Sequence, residues 1–387
     1  MDARTDDKLL AFFKSLHREP ELSWQELQTR RKIVDYLSAL SGVEILFHSE
    51  RGILCRLTNR HARDRILYRA DIDALPIQEE SGLDYASTRP GIMHACGHDG
   101  HITVALGIIE ELLSTGRGQG GEHEFYFLFQ AAEENLPSGA RSLVDSGELS
   151  AEGPFAAIYA AHFIPQLPAG TIGLLPAGPA TTGNGFFKIQ VQGKSAHSSQ
   201  PHLGLNPIPV AAQLIMALES MSVQSFDPRT YRVLSICQIH SGTVQNQIPE
   251  SLELAGSLRV LSEEVEREIV EKMDRVAQGM AAMSGVCVSL DYLSGHPPIQ
   301  NDARLREQLK RFLLQRSPDF DYVELPFWSA SEDFAHYAEI APLYYLLMGS
   351  SGSVQDQSYA NHHPRFKIAH EALFKAITFW SEYFQSL

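Results

Sequence analysis

The densest group of reactive side chains in this sequence lies at residues 93–101, which read MHACGHDGH. The stretch holds one thiol, three imidazoles and one carboxylate, and its glycines allow tight turns that can point Cys96 and His98 into a common cavity. Thiolate and imidazole groups bind borderline or soft divalent cations. The stretch therefore predicts a metal site; the simpler alternative is a surface histidine cluster at a helix start, with Cys96 in the core.

Polar side chains of metal-binding type also follow three apolar runs, at residues 65–70, 124–130 and 156–162, that read as buried strands. Site residues of α/β enzymes lie at the carboxyl ends of such strands. Each group also has a simpler explanation, as an Asx turn, a charged loop or a buried histidine. The candidates at these strand ends and in the later segment YANHHPRF are Asp71, Asp73, Glu133, Glu134, His162, His362 and His363.

The adjacent acids Glu133 and Glu134 suggest a division of labour if both enter one site: one carboxylate would bind metal and the other would act as general base on water. A donor set of Cys, His and carboxylate favours Zn²⁺, Mn²⁺ or Ni²⁺ over Mg²⁺ or Ca²⁺. The absence of a strand-end GxGxxG or GxxxxGK(S/T) pattern argues against a dinucleotide or P-loop site. A second hypothesis makes Cys96 a nucleophile with His98 or His101 as its base, but it leaves the other candidates unexplained.

The order of elements predicts two domains. The chain has 387 residues, more than one hydrophobic core usually serves. Strands alternate with helical patterns in the first part, which is typical of an α/β domain with a mostly parallel sheet. The turn-rich segment AGPATTGNG then precedes an α+β pattern. We predict a discontinuous catalytic domain, residues 1–180 and 293–387, with a domain inserted at 181–292. The carboxyl-terminal helix is expected to pack on the sheet of the first domain through Leu373, Ile377, Trp380 and Phe384.

The composition is that of an acidic globular protein, with 47 acidic and 32 basic residues and a net charge of -15. This balance disfavours nucleic acid and anionic membranes as partners, because both recruit clustered Lys and Arg. The first eight residues (MDARTDDK) lack the apolar core of a signal peptide, and no apolar run reaches the roughly 18 residues of a membrane span. We therefore expect a cytoplasmic protein. The separated cysteines predict no disulfide framework, and Cys55, Cys237 and Cys287 are expected in the core.

Eight motifs carry a resemblance to a known enzyme family: YRADIDALPIQEE, GIMHACGHDGH, FQAAEE, AHFIPQLPAGTIG, GKSAHSSQPH, GTVQNQIPE, SEDFAHY and NHHPRF. In this order they resemble the metal-dependent N-acyl-amino-acid amidohydrolases of the aminoacylase and carboxypeptidase superfamily. Its members include hippurate hydrolase, plant auxin-conjugate hydrolases and bacterial N-acetyldiaminopimelate deacetylase. The resemblance covers nearly the whole chain from residue 16 onward, and it implies a two-metal catalytic domain interrupted by a smaller lid domain that also forms a homodimer.

The resemblance also implies roles for residues at matching motif positions. Asp71 would orient a ligand, Glu133 would be the general base, and His197 would stabilise the oxyanion in the neighbouring subunit's site. Asn246 and Arg259 would bind the substrate carboxylate. Two divalent ions per subunit, Mn²⁺ or Zn²⁺ with Ni²⁺ as a further option, would be held by Cys96, His98, Glu134, His162 and His362.

Two positions depart from the usual family pattern. Ala131 replaces the proline of FQPAEE, and residues 329–331 (SAS) replace a segment that usually carries two glycines before EDF; the second change is expected to narrow the acyl pocket. The resemblance implies a small-molecule N-acyl amino acid substrate, and YRADIDALPI, AGTIG, GTVQN and HHP favour N-acetyl-L,L-diaminopimelate. The alternatives are a hippurate or N-acyl-amino-acid hydrolase of broad specificity and a non-catalytic binding protein of the same fold.

Overall fold

The computed structural model describes residues 3–59, 62–116, 121–316, 319–352 and 359–387. Its α-helices are α1 (Ala3–Arg18), α2 (Leu27–Ser38), α3 (His98–Ser114), α4 (Gly139–Ser146), α5 (Glu148–Glu152), α6 (Pro207–Gln224), α7 (Glu263–Ser284), α8 (Ala303–Gln315) and α9 (His370–Ser386). Two 3₁₀ helices span Pro201–Leu203 and Asp333–Glu339. Its strands are β1 (Val43–Ser49), β2 (Gly52–Leu57), β3 (Asp64–Asp71), β4 (His123–Gln130), β5 (Ala157–Pro168), β6 (Ile172–Leu174), β7 (Gly178–Pro179), β8 (Gly183–Gln192), β9 (Ala196–His197), β10 (Arg232–Ser241), β11 (Gln247–Ile248), β12 (Ser251–Val260), β13 (Cys287–Ser294), β14 (Gln300–Asn301), β15 (Tyr322–Glu324) and β16 (Leu343–Ser351).

The chain forms two compact units. The first comprises Met1–Ala180, Ile299–Trp328 and Asp333–Leu387, and the second comprises Thr181–Pro298 and Ser329–Glu332. The sequence placed the second crossing at residue 292, but β13 stays paired with β8 through Ser294, and the chain leaves the second unit at Pro298. In the described part of the chain, no helix is both long and apolar enough to cross a membrane.

The first unit is built on an eight-stranded sheet of order β1-β2-β4-β3-β5-β16-β6-β15. Its central strands β4, β3, β5 and β16 are parallel. Strand β2 pairs antiparallel with both β1 and β4, and β16 pairs antiparallel with β6. The central strands are nearly continuous apolar runs because both faces of the sheet are covered: Phe127 belongs to the core on one face and Tyr126 to the core on the other. The expected α/β fold with a mostly parallel sheet is confirmed.

Helix α9 covers one face of this sheet, as expected from its apolar stripe. The ring of Trp380 lies 5.2 Å from that of Tyr68 on β3 and 5.7 Å from that of Tyr159 on β5, centroid to centroid. Helices α3 and α9 approach each other closely at Gly107. A Cβ at this position would lie only 2.4 Å from Cδ1 of Ile377, so only glycine allows this spacing. Glycine at position 107 therefore sets the spacing of the two helices.

The second unit has an antiparallel sheet of order β10-β12-β8-β13. Helices α6 and α7 pack on one face of it and enclose a separate apolar core that includes Leu214, Leu254 and Met273. Helix α7 has clear end signals: the Ser262 side chain accepts hydrogen bonds from the first-turn amides, and Gly285 ends the helix with φ 75°. The unit is therefore α+β, as its sequence pattern predicted.

The expectation of three cysteines in the core is wrong for two of them. Cys55 is buried, but Cys237 and Cys287 are exposed. Both lie on edge strands of the second sheet, β10 and β13, and only one face of that sheet is covered by helices. On β13 the residues alternate between exposed and half-buried positions, and Cys287 takes an exposed one.

Candidate functional site

The candidate site lies at the edge of the first unit's sheet where the parallel strands β3, β4 and β5 bring their carboxyl ends together. Asp71 is the last residue of β3, and Glu133 and Glu134 follow β4. His162 was expected to end its strand, but β5 continues to Pro168 because its pairing with β16 extends beyond the histidine. The strand ends thus collect residues that are far apart in sequence.

Helix α3 begins at this edge. Its N-cap is Gly97, with φ 92°, and His98 is its first residue. A Cβ at Gly97 or Gly100 would lie 3.1 Å or 2.6 Å from Cδ1 of Ile368. The glycines therefore allow α3 to start against Ile368, which places Cys96 and His98 next to the strand ends.

Two groups of potential ligand atoms share the Cys96 thiol. Cys96, His98 and His162 form one group, in which all ligand atoms lie within 4.8 Å of one another. Cys96, Glu134 and His362 form a second group by the same measure. The Sγ atom of Cys96 lies 3.3 Å from Nε2 of His162. Because the groups overlap at one sulfur, the geometry accommodates two neighbouring cations.

The two ring nitrogens of His98 have different surroundings. Its Nδ1 donates to Oδ1 of Asp73 at 3.1 Å. Its Nε2 is buried and has no hydrogen-bond partner among the described residues, although Oδ2 of Asp71 and Oε1 of Glu134 lie 3.7 Å and 3.9 Å away. Burial opposes the charged form, but Asp71, Asp73 and Glu134 raise the pKa of His98 to about 10. The acidic side chains around Nε2 therefore stabilise a positive charge at this position.

Burial shifts the pKa values of His162 and Cys96 in opposite directions, each toward the neutral form of the side chain. The His162 Nδ1 donates to the Phe163 carbonyl at 2.9 Å, and burial together with His101 keeps the pKa of His162 well below its usual value, so Nε2 carries a lone pair. Burial and the carboxylates of Glu134 and Glu133 raise the pKa of the Cys96 thiol well above its usual value. A thiol of raised pKa is a poor nucleophile, which argues against the cysteine-nucleophile hypothesis.

His362 approaches the site from a loop near the carboxyl terminus. Its Nε2 lies 3.3 Å from Oε1 of Glu134, its backbone has φ 67°, and its amide donates to the Ala95 carbonyl at 2.8 Å. The preceding Asn361 was missed in the sequence, where only its place beside the histidine pair marked it. Its Nδ2 donates to the carbonyls of Cys96 and Phe163 at 3.3 Å and 3.1 Å, which ties the three ligand-bearing segments together.

Glu133 is buried, with 8% of its surface exposed. Its carboxylate, His98 and Glu134 also lie within 4.8 Å of one another. Glu133 belongs to neither of the two groups that contain Cys96. It is thus beside the candidate cation positions, where a proton acceptor for water would be needed.

The role expected of Asp71, orienting a ligand, stays a prediction, and Asp73 also contacts the candidate ligand His98. Asp73 accepts from His98, and its other oxygen accepts from the Glu134 amide at 3.0 Å. Asp71 instead lies 2.5 Å from Nδ1 of His101. The strand ends at Asp71, so Asp73 lies in the loop that follows it.

Behind Asp71 lies a buried ionic network that the sequence analysis did not find. Arg69 donates to Oδ2 of Asp71 and to Oδ1 of Asp333, both at 2.6 Å, and to Gln130 at 2.8 Å. Burial alone would raise the pKa of Asp71, but His98, His101 and Arg69 together hold it well below its usual value. An arginine inside an apolar strand was the available signal, since a buried charge needs a partner.

His197 and Asn246 meet within the second unit. Strands β9 and β11 pair through His197 and Gln247, and the Ser198 amide donates to the Asn246 carbonyl at 3.0 Å. The Ser199 amide donates to Nδ1 of His197 at 3.2 Å, which leaves the ring proton on Nε2. His197 is therefore set up to donate a hydrogen bond from Nε2.

Arg259 lies on β12 of the second unit, paired in register with Asn184 and Val233. Burial lowers the pKa of its guanidinium from the usual value. Its Nη1 is buried and has no hydrogen-bond partner in the described ranges. A buried, unpaired guanidinium nitrogen is suited to an anionic ligand.

The profile of Peptidase family M20/M25/M40 matches residues 67–386. The chain is 34% identical to N-acetylcysteine deacetylase of Bacillus subtilis strain 168 over 377 residues, covering 97% of this chain and 95% of that protein. It is 32% identical to N-acetyl-L-cysteine deacetylase of the same organism over 385 residues, covering 97% and 87%.

The crystal structure of the Bacillus subtilis YXEP protein, described as a dinuclear metal binding peptidase of the M20 family, superposes with a TM-score of 0.84. The two sequences are 32% identical, and the match covers 100% of this chain and 99% of that one. The chain therefore belongs to Peptidase family M20/M25/M40, and with it to the metal-dependent amidohydrolases that its motifs predicted.

Proposed function

We propose that this protein hydrolyses the amide bond of N-acyl-L-amino acids and releases a carboxylic acid and the free amino acid. The observation that carries the proposal is the pair of ligand groups that share Cys96, with Glu133 adjacent to both. Such an arrangement provides a place for two cations and a nearby carboxylate that neither group requires.

The donor set fits divalent cations. Within the described part of the chain, Nε2 of His98 and Oε1 of Glu134 are buried without a hydrogen-bond partner, and such atoms are costly unless a ligand satisfies them. When bound, two divalent ions would polarise the amide carbonyl and make water more acidic. Thiol, imidazole and carboxylate donors favour Zn²⁺, Mn²⁺ or Ni²⁺. The proposed ligands are Cys96, His98, Glu134, His162 and His362.

Glu133 would move the protons of the reaction. As water attacks the amide carbon, the Glu133 carboxylate accepts a proton from that water. When the C–N bond breaks, the same carboxyl gives its proton to the departing amine nitrogen and returns to the ionised form. The products are the carboxylic acid and the amino acid, and Glu133 is regenerated.

The second unit would supply groups that recognise the substrate. His197 of a neighbouring subunit would donate from Nε2 to the developing oxyanion, worth about 3 kcal/mol if it behaves like other oxyanion donors. Arg259 and Asn246 would bind the free carboxylate, which the unpaired Nη1 of Arg259 supports. The second unit would then act as a lid whose closure excludes water.

The proposed partner is a second copy of the chain. Helix α6 has exposed apolar side chains at Ile208, Met216 and Val223, which are 47%, 70% and 63% exposed. Their spacing puts them on one side of the helix, and an uncovered apolar face supports a homodimer. Size-exclusion chromatography with light scattering tests this directly. We also propose a cytoplasmic location, which the free state of all four cysteines supports.

Two substrates are candidates. The similarity to two N-acetylcysteine deacetylases supports an N-acetyl amino acid with a small side chain. The motif resemblance favours N-acetyl-L,L-diaminopimelate. N-benzoylglycine and N-acetyl-L-methionine represent a hydrolase of broad specificity. Release of free amine from N-acetyl-L-cysteine and from these three compounds ranks the candidates. The assay uses enzyme stripped with chelator and reloaded with Mn²⁺ or Zn²⁺.

The matched variants Glu133→Gln and Glu134→Gln distinguish the proposed proton acceptor from the proposed metal ligand. Glu133→Gln should lower kcat by at least about 100-fold, because the proton acceptor is lost, while metal content measured by ICP mass spectrometry stays unchanged. Glu134→Gln should lose metal. Loss of metal from Glu133→Gln would make Glu133 a ligand instead. Wild-type protein that binds N-acyl amino acids but releases no amine with any metal would favour the non-catalytic binding protein.

A further inference from the structure

The segment at residues 21–26, between α1 and α2, contacts the loops that follow both β3 and β4. On the β3 side, Leu22 forms a β-bridge with Ala74, and the Ala74 amide donates to the Glu21 carbonyl at 2.8 Å. The Ser23 hydroxyl donates to Oδ2 of Asp73 at 2.7 Å. This half of the segment therefore supports the aspartate that holds His98.

The other half of the segment holds the loop that carries the two glutamates. Oε1 of Glu26 accepts a hydrogen bond from the Ala132 amide at 2.8 Å, across 106 positions of sequence. The Trp24 indole Nε1 donates to the Pro137 carbonyl at 3.0 Å. These contacts lie on either side of Glu133 and Glu134 in the chain, so the loop is held at both ends.

The Ala132 contact matters because of the backbone there. Ala132 has φ 52°, in the left-handed region that residues with a Cβ rarely occupy. Such a conformation persists only where the surroundings impose it. Ala132 directly precedes Glu133, so the orientation of its peptide fixes the direction in which the Glu133 side chain leaves the chain.

The side chain of Glu26 does not serve as the cap of helix α2, although it lies at the start of that helix. Glu26 is the N-cap residue of α2, but its side chain makes no capping hydrogen bond. The α2 amide of Thr29 is instead satisfied by Oε2 of Glu21 at 2.8 Å. Glu26 is fully buried, and its Oε2 has no hydrogen-bond partner among the residues that the structure describes. Burying a carboxyl with one oxygen unsatisfied is costly.

We propose that Glu26 is a positioning residue for Glu133, which it orients through the Ala132 amide. The inference rests on the proposed function, because Glu133 is the proton acceptor there. Without the acceptor at position 26, the Ala132 amide is buried and unpaired, and the left-handed turn before Glu133 loses the contact that imposes it.

The test compares Glu26→Ala, Glu26→Gln and Glu21→Ala at saturating metal. Glu26→Ala should lower kcat by about 100-fold with KM within about 3-fold, because the error lies in the placement of the reacting group and not in substrate binding. Glu26→Gln retains an acceptor oxygen for the Ala132 amide and should keep at least about a third of wild-type kcat. Glu21→Ala removes the other buried carboxylate of the segment, which reaches α2 and not the Ala132 amide, and should lower stability with little effect on kcat.

Hydrogen exchange supplies a readout that does not depend on turnover. Peptides that span residues 131–136 should exchange faster in Glu26→Ala than in wild type, Glu26→Gln or Glu21→Ala. Wild-type kcat in Glu26→Ala, or equal losses of kcat in Glu26→Ala and Glu21→Ala, would overturn the inference while leaving the proposed function intact. A wild-type protein that hydrolyses no N-acyl amino acid would overturn the proposed function; unchanged exchange in Glu26→Ala would then overturn the structural inference as well.

Discussion

Two aspartates separated by a single residue, Asp71 and Asp73, contact different histidines of the site. Asp73 accepts from Nδ1 of His98, so Nε2 is the nitrogen that this ring can offer to a cation. Asp71 binds His101, whose Nε2 accepts from the Phe163 amide at 3.1 Å. Both nitrogens of His101 therefore make hydrogen bonds within the protein. His98 is thus the histidine of α3 with a ring nitrogen available for the proposed metal.

At the residue scale, Asp73→Asn should weaken metal binding. Both oxygens of Asp73 accept hydrogen bonds, from His98 on one side and from Ser23 and the Glu134 amide on the other. An asparagine would turn an NH₂ group toward one of these donors. Loss of such a contact typically costs 10–100-fold in metal affinity.

Chelator competition against Zn²⁺ measures this effect. The matched control is Asp84→Asn, because the Asp84 side chain is 78% exposed and the site does not use it. Equal affinities in the Asp73 and Asp84 variants would show that His98 does not depend on Asp73.

At the scale of elements, α1 and α3 are joined by a buried ionic contact. His17, in the last turn of α1, contacts Oδ2 of Asp99 at 2.7 Å through Nδ1 and Oε1 of Glu79 at 3.1 Å through Nε2. Burial opposes the charged imidazole, but Asp99 and Glu79 raise the pKa of His17 to about 9. Asp99 is next to His98, so this contact fixes the first turn of α3 and the ligand it carries.

The His17 contact predicts a pH-dependent stability. The pKa of about 9 in the folded state lies above the usual 6.5, so the stabilisation is complete below pH 6.5 and is lost as the pH rises through 9. The full effect is on the order of 3 kcal/mol. We expect the free energy of unfolding of wild type, measured in urea with chelator present, to fall more between pH 6 and 10 than that of His17→Gln. Parallel pH profiles of the two proteins would contradict the assignment.

At the scale of the whole molecule, the chain has two units with separate cores. The sheet of the first unit has apolar clusters on both faces, and the second unit has its own cluster under α6 and α7. The proposed metal ligands all belong to the first unit, whereas His197, Asn246 and Arg259 belong to the second. The proposal thus places metal binding in the first unit and recognition of the substrate carboxylate in the second.

This division predicts two thermal transitions that respond to different changes. Metal at 100 times its Kd stabilises the unit that binds it by about 2.7 kcal/mol, so a chelator should lower only the transition of the first unit in calorimetry. Met273→Ala, at a fully buried position of the second core, should cost about 2–5 kcal/mol and lower only the other transition. A single transition that both changes lower together would show that the units unfold as one.

Several candidate metal ligands could be predicted from the sequence, because only a few residue types bind metal ions. Cys96, His98, Glu134, His162 and His362 were identifiable as ligand-type side chains in motifs or after apolar strands, and the structure brings their ligand atoms into two overlapping groups. Their individual roles stay proposals. The α/β fold was also predictable, since buried parallel strands are nearly continuous apolar runs.

The sequence by itself determined which kinds of side chain are present and the periodicity of the elements that carry them, because both are local properties of the chain. Only the tertiary structure decided that Asp73 contacts His98, that Arg69 contacts Asp333 across 264 positions, and that Glu26 holds the Ala132 amide. It also decided the exposure of Cys237 and Cys287, because burial depends on which face of a sheet the helices cover. Contacts of this kind depend on the packing of distant segments, which local pattern does not encode.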